Sequence, residues 1–321
     1  MAERRNQWFF DLKKEVPAAI YKSSVKEKIR AFRKIIKENG VDTVHTHFTD
    51  MKTDMCVNIA CLGLRVKKFK HYRSSFGSFG TIKKFFARLC YRSWNAVICV
   101  SPHIMREAES NIVSCKPVLL NDAVYFPRMD NYEKLCKPDL GVPESAVLCF
   151  AIGYDYRLKG IDLACEAVKK LRDEGLNIYL AVCTASNTQA IAEQIRAQFG
   201  EFPEWLKLLP PRQDIASYYR AADIYIQASR SEGFCYAIVE AAYCGKTVVA
   251  SDCPGMKSHA EKNFDFLWFK NGDSDSLSEK LGQAVKMSES SELSAKNRRS
   301  AIDNYSIENM SKKLHRIYAD M

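Results

Sequence analysis

No uninterrupted apolar run reaches the roughly 18 residues that a membrane-spanning helix needs, so the 321-residue chain is expected to have no transmembrane helix. Its first ten residues carry Glu3, Arg4 and Arg5 and lack the long apolar core of a secretion signal. The twelve cysteines are scattered, with no Cys-x-x-Cys pair and no metal-like grouping with histidine. That pattern excludes a disulfide framework and the common zinc modules, and each cysteine reads as a small buried apolar residue of a reduced cytoplasmic protein. Internal repeats and low-complexity tracts are also lacking. What is present is an apolar fraction of 47%, ample for packed cores, on a length that suggests two domains.

Charge is unevenly spread. Residues 1–134 hold 25 Lys+Arg against 13 Asp+Glu, a balance of +12, whereas the remainder balances at −2. A basic first half suits an anionic partner, namely lipid or a phosphate-bearing acceptor, and equally suits a merely solvated surface. Nucleic acid is not expected, because no recognition motif accompanies the charge.

Apolar β-type runs alternate with amphipathic helical segments, which argues for parallel α/β layers. Residues 2–15 place Trp8, Phe9 and Leu12 on one helical stripe. Residues 24–38 turn Val25, Ile29, Phe32 and Ile36 inward, and Asn39-Gly40 stops that helix. Residues 41–47 then form a strand with His45 and His47 at period two, hence on one face, at the carboxyl end where open α/β sheets bind ligands. A structural role and a metal-site fragment are the competing readings of this pair. Spacing offers no third ligand, so no metal is expected. Residues 82–94 form a basic helix carrying Phe85, Phe86 and Leu89. It reads first as an ordinary domain helix with its apolar face in the core, and alternatively as a helix lying on a membrane surface.

The most informative stretch is Ser229 to Asp252, a loop, a short Ala-rich helix from Ala237 to Tyr243 ended by Gly245, and a buried strand. Glu240 lies on the apolar helix, where an ionised carboxylate is costly unless something binds it. Glu232 precedes Gly233, whose missing side chain lets backbone N–H groups approach a ligand, and a helix start there suits phosphate. Alone, the two carboxylates would read as a cap and a solvated surface residue.

In order, Glu232-Gly233-Phe234, Glu240-Ala241-Ala242, Cys244-Gly245 and the Val-Val-Ala-Ser-Asp strand resemble the E-x7-E segment of retaining GT-B glycosyltransferases of family 4. Lys159-Gly160-Ile161-Asp162-Leu163 is similar to the family's Lys-Gly-x-Asp-Leu helix start, and residues 41–47 to its Asp-Val-Val-His-x-His strand. The resemblance implies an α/β GT-B fold of two facing Rossmann-like domains with parallel sheets. It implies an acceptor-side domain over 1–130, a nucleotide-sugar domain over 131–304, and a helix over 305–321 crossing back. Ala2-Glu3-Arg4 resembles the tail of a glycine turn that opens the first helix of relatives, so a shortened N-terminal domain without its first strand is expected. The implied reaction is sugar transfer from a UDP- or GDP-sugar to a hydroxyl of a glycan or lipid-linked acceptor, with retention and without metal or other cofactor. Cell-surface polysaccharide or glycolipid assembly is the implied setting, in the cytoplasm or on the inner face of the plasma membrane.

Roles follow from the same resemblance. Glu240 is expected at the ribose, and Glu232 with Gly233, Phe234 and Cys235 at the donor sugar. Lys159 and Arg157 are expected at the diphosphate, where a cation meets the charge of the departing group. Arg212 falls in the wall for the base, His47 acts from the opposing domain, and His45, His71 and Arg73 face the acceptor. Tyr154 stands where relatives carry an arginine, and this departure sustains a second reading: a non-catalytic GT-B subunit supporting a partner transferase. A sugar-nucleotide epimerase of the same fold fits the motif combination less well.

Overall fold

The computed structural model describes residues 24–47, 50–77, 79–112, 114–184, 187–287 and 291–321. The stripe over residues 2–15 and the Ala2-Glu3-Arg4 turn lie outside them. The first described helix, α1 (Val25–Glu38), starts on a reciprocal cap in which Ser24 and Glu27 each accept the other's backbone N–H. Gly40, at φ +58°, turns the chain into β1 (Thr43–Thr46). Ile36 is buried and Ile29 and Phe32 pack against the core, but Val25, at the exposed first turn, does not turn inward as its spacing suggests.

Alternation then continues through α2 (Met51–Ala60), β2 (Lys67–Tyr72), α3 (Thr81–Tyr91), β3 (Ala96–Cys99), α4 (Pro102–Asn111) and β4 (Pro117–Leu119). The four strands form a parallel sheet in sequence order, with Thr43 opposite Lys67, Phe69 opposite Ala96 and Val97 opposite Pro117. Beneath it, Lys70 and Asp54 form a fully buried ion pair of 2.8 Å. Thr46 and Tyr91 donate their hydroxyls to the same carboxylate, at 2.9 and 2.7 Å, so both of its oxygens are partnered.

The expectation that α3 turns its apolar side into the core is corrected. Ala87, Cys90 and Tyr91 make its buried face, whereas Ile82, Phe85, Phe86 and Leu89 are exposed among Lys83, Lys84, Arg88 and Arg92. That buried face meets α2, where Tyr91 donates to Asp54 and Asn58 donates to the Cys90 carbonyl, and Ile82, Phe85, Phe86 and Leu89 are left to solvent.

The second sheet comprises β5 (Val147–Ile152), β6 (Ile178–Cys183), β7 (Leu206–Leu209), β8 (Ile224–Gln227), β9 (Thr247–Ser251) and β10 (Leu267–Phe269). It is parallel throughout, in the order β10-β9-β8-β5-β6-β7. The chain runs outward from β5 to β7, then returns beside β5 and runs the other way. This reversal between β5 and β8 opens a crevice at their carboxyl ends. Helices α5 (Ile161–Asp173), α6 (Thr188–Phe199), α7 (Ala216–Ala221), α8 (Tyr236–Tyr243), α9 (Pro254–Lys257) and α10 (Ser274–Met287) link or flank these strands. Both faces of β5, β8 and β9 are buried, which is why they read as unbroken apolar runs.

After α11 (Ser291–Tyr305), α12 (Ile307–Asp320) lies against the first sheet. Val124 donates to the Tyr305 carbonyl at 2.9 Å, Lys67 to that of Tyr318 at 2.8 Å, and Asn95 to that of Met321 at 2.9 Å. Phe69, Ile98 and Leu120 of the sheet side pack with Ile317 and Leu314 of α12.

Candidate functional site

The crevice between β5 and β8 holds a cavity of about 320 Å³ whose lining includes Arg73, Tyr154, Lys159, Glu232, Gly233 and Cys235. Two loops build its floor. Gly160, in the left-handed region at φ +64°, lets the turn before α5 pass over β8, because a Cβ there would stand 1.9 Å from the Ala228 carbonyl oxygen. That turn delivers Lys159, whose Nζ lies 2.6 Å from Glu232 Oε1. Glu232 is further fixed by Ser229 Oγ at 2.7 Å and Gln227 Nε2 at 3.2 Å. Burial works to lower the Lys159 pKa, but the charge and hydrogen bond of Glu232 carry the net shift upward, so Lys159 stays an ammonium.

Cys235 opens α8 at φ +73°, a conformation seldom adopted by a residue with a side chain. The residue is buried, and burial raises the thiol pKa well above the ordinary value. Phe234 is buried against His259 and Tyr305, with ring centroids 4.9 and 5.2 Å away. Gly233 faces the first sheet's side: a Cβ there would lie 2.5 Å from the Arg73 carbonyl oxygen.

Glu240 sits one turn along α8, only 5% exposed. The partner its burial requires is Arg128, which donates to Oε1, together with Tyr219, whose hydroxyl donates to Oε2 at 3.1 Å. Arg128 comes from the short 3-10 turn Phe126–Met129 after the first sheet, and its distance along the chain hides the pairing from sequence reading. Asp122, buried at 2%, takes hydrogen bonds from Arg73 and from Tyr236 of α8 and so joins the two sheets' segments, a pairing of distant positions that local patterns do not show. Burial works against the Arg73 charge, but Asp122 and Tyr236 raise its pKa overall.

Three expected donor residues stand apart from the cavity lining: Glu240, held by Arg128 and Tyr219, and the arginines Arg157 and Arg212. Arg157 turns to Asp162, at 2.7 Å, where Arg230 also makes a two-pronged contact at 2.8 and 2.7 Å. Arg212 is held by Asp214 at 2.8 Å and by Glu133. Hydrogen bonds to Asp214 and Glu133 raise the Arg212 pKa, and the Arg212 and Ser217 contacts lower that of Asp214.

At the carboxyl ends of β1 and β2, His45, His47 and His71 come together, with candidate ligand nitrogens all within 4.8 Å of one another. The reading that the His-x-His pair lacks a third ligand is therefore corrected: parallel pairing of β1 with β2 sets His71 on the same face, which spacing along one strand cannot reveal. Burial, with neighbouring His47 and Lys70, lowers the His45 pKa to about 4. Burial and the two other imidazoles take His71 down to about 3, so both rings are neutral near pH 7.

Comparisons with known proteins place this geometry. The family described as "Glycosyl transferases group 1" matches residues 136–314, more than half of the chain. A glycosyltransferase structure from Rickettsia africae aligns with a TM-score of 0.83 at 19% identity, covering 98% of this chain and 87% of that one. A structure of Anabaena HepE in complex with UDP and glucose aligns with a TM-score of 0.74 at 16% identity, covering 92% and 81%. These likenesses define the fold as GT-B. The chain belongs to the glycosyl transferases group 1 family. Among curated relatives, the N,N'-diacetylbacillosaminyl-diphospho-undecaprenol alpha-1,3-N-acetylgalactosaminyltransferase of Campylobacter jejuni is 38% identical over 73 residues, 23% of this chain and 19% of that protein. The chain spans between 19% and 34% of the length of four such relatives.

Proposed function

We propose that this chain transfers a sugar from a nucleotide-sugar donor, UDP- or GDP-linked, to a hydroxyl acceptor with retention of anomeric configuration. The observation that carries the reading is the Lys159–Glu232 pair at the floor of the crevice between β5 and β8. The Anabaena neighbour's complex with UDP and glucose supports the donor class. Lys159 meets the diphosphate as a fixed cation, and the backbone N–H groups at the start of α8 add a positive dipole end. Glu232 and the Gly233–Cys235 backbone hold the sugar hydroxyls. Glu240 holds the ribose once Arg128 yields one carboxylate oxygen. His47 contributes from the first sheet. The acceptor oxygen bonds to the anomeric carbon on the face from which the diphosphate departs; the carbon–oxygen bond to phosphate breaks, and the acceptor proton passes to a phosphate oxygen.

For the acceptor, a lipid-linked glycan is the preferred reading. The Campylobacter relative is named for a diphospho-undecaprenol-linked acceptor. The exposed apolar and basic side of α3 suits a peripheral contact with anionic lipid, and no described helix is long and apolar enough to cross a membrane.

The test is thermal unfolding with UDP, GDP and ADP and their sugar conjugates, with Glu240→Ala as control. A bound ligand at about 100 times its dissociation constant adds roughly 2.7 kcal/mol, a shift of several degrees. A shift with one base that the variant loses supports the donor assignment. No shift with any nucleotide sinks it, and binding without turnover on any supplied acceptor favours a non-catalytic subunit.

A further inference from the structure

Of the three clustered histidines, the donor reading uses only His47; His45 and His71 have no part in it. His71 is 2% exposed, and neither of its ring nitrogens has a hydrogen-bond partner. His45 Nε2 is also buried and unpartnered, although its Nδ1 lies 2.5 Å from the Tyr318 hydroxyl. Buried polar atoms are rarely left unpaired, and here they come from two adjacent strands, with the candidate ligand nitrogens of the cluster within 4.8 Å of one another. We propose that His45, His47 and His71 form a binding site for a divalent transition-metal ion of the zinc class.

Size and chemistry select the ligand. Ring centroids are 4.4 Å apart for His45 and His47, 5.2 Å for His45 and His71, and 5.0 Å for His47 and His71. That spacing, with the ligand nitrogens all within 4.8 Å of one another, admits a single ion. Three imidazole nitrogens and no thiolate suit Zn²⁺, Co²⁺, Ni²⁺ or Cu²⁺, whereas Mg²⁺ and Ca²⁺ want oxygen. With Nδ1–H of His45 donated to Tyr318, Nε2 keeps its lone pair for the ion, the arrangement in which an outer partner sets the tautomer of a ligating histidine. The rings must turn about χ2 to converge on distances near 2.0–2.1 Å, a soft rotation for imidazole. Nearby cations do not oppose the ion unscreened: Arg73 is paired with Asp122 and Lys70 with Asp54. Asp122 Oδ1, 4.0 Å from His71 Nε2, adds a carboxylate at the border of the site.

The inference is independent of the donor reading, since its readout is metal binding itself. Full-length protein stripped with EDTA is titrated with Zn²⁺ by calorimetry and with Co²⁺ by visible absorption. The Cys136→Ser background removes the one exposed cysteine. The expected result is one ion per chain, ligand-field bands of a nitrogen-bound Co²⁺ site, and an unfolding temperature raised by several degrees. His71→Gln should abolish binding. His47→Ala, at an exposed position that cannot disturb the core, should weaken it at least tenfold. Absence of stoichiometric uptake, uptake that His47→Ala leaves unchanged, or equal uptake of Mg²⁺ would overturn the proposal.

Discussion

Lys159 Nζ and Glu232 Oε1 lie 2.6 Å apart although 73 positions separate them, and their side chains are only 15% and 12% exposed. Each limits the freedom of the other before any ligand arrives. Replacing Lys159 by Met leaves Glu232 with neutral donors alone and should lower stability by about 1.5–3 kcal/mol, the usual range for hydrogen bonds to charged groups. Lys159→Met combined with Glu232→Gln should recover most of that loss without recovering a thermal response to nucleotide. Denaturant unfolding of the four proteins in the double-mutant cycle checks both statements.

Gly255 and Gly160 allow backbone to touch backbone around Glu232. A Cβ at Gly255 would stand 1.7 Å from the Glu232 carbonyl oxygen, and one at Gly160 1.9 Å from that of Ala228. Neither carbonyl can move without shifting a loop of the cavity. Gly255→Ala and Gly160→Ala should each cost about 3 kcal/mol or more, at the upper end of single substitutions. The midpoint of urea unfolding reads this directly; unchanged midpoints would show that the loops yield freely.

The Asp54–Lys70 pair predicts an asymmetric response. Asp54→Ala strands a buried ammonium and removes the acceptor for Thr46 and Tyr91, so a loss of about 3–5 kcal/mol is expected. Replacing both ionic partners together by apolar residues of similar volume should cost markedly less. Equilibrium unfolding of the single and double variants distinguishes a strong pair from a merely tolerated one.

His259 makes stability depend on acid. Its Nε2–H donates to the Phe234 carbonyl at 2.6 Å, and the Tyr305 hydroxyl donates to Nδ1 at 2.8 Å. Burial pulls its pKa from 6.5 to about 4, with the Phe234 hydrogen bond opposing and Lys262 assisting. The unfolded chain therefore binds this proton more readily than the folded one. The contribution is fully present above about pH 6.5 and is lost as pH falls toward 4, by roughly 2–3 kcal/mol at pH 4.5. The gap in stability between wild type and His259→Gln should narrow over that window, as followed by urea unfolding at pH 7.5 and about 4.5.

The outward side of α3 predicts adsorption to anionic vesicles. Ile82 is 75%, Phe85 58% and Leu89 54% exposed, beside four basic residues. Phe85→Ser with Phe86→Ser should weaken binding in vesicle sedimentation at least tenfold (about 1.4 kcal/mol), since burying each ring is worth about that or more. Binding to neutral vesicles should be weaker than to anionic ones and less sensitive to salt.

By itself the sequence determined the order of elements and the chemistry of three motifs. Period-two and unbroken apolar runs can only bury themselves as strands of parallel layers, and Lys159-Gly160, Glu232-Gly233 and Glu240 announce their loops locally. Tertiary structure decided the rest, because it depends on which strands become neighbours. The reversal between β5 and β8 brings Lys159 to Glu232, and the return after the first sheet brings Arg128 to Glu240. Likewise, the pairing of β1 with β2 brings His71 to His45 and His47. The outward turn of Phe85 and Phe86 was left between two readings, because periodicity shows that a helix has an apolar face but not what that face meets. Local patterns encode what a segment must do with its own backbone and side chains; long-range partners are set by packing, which no single segment contains.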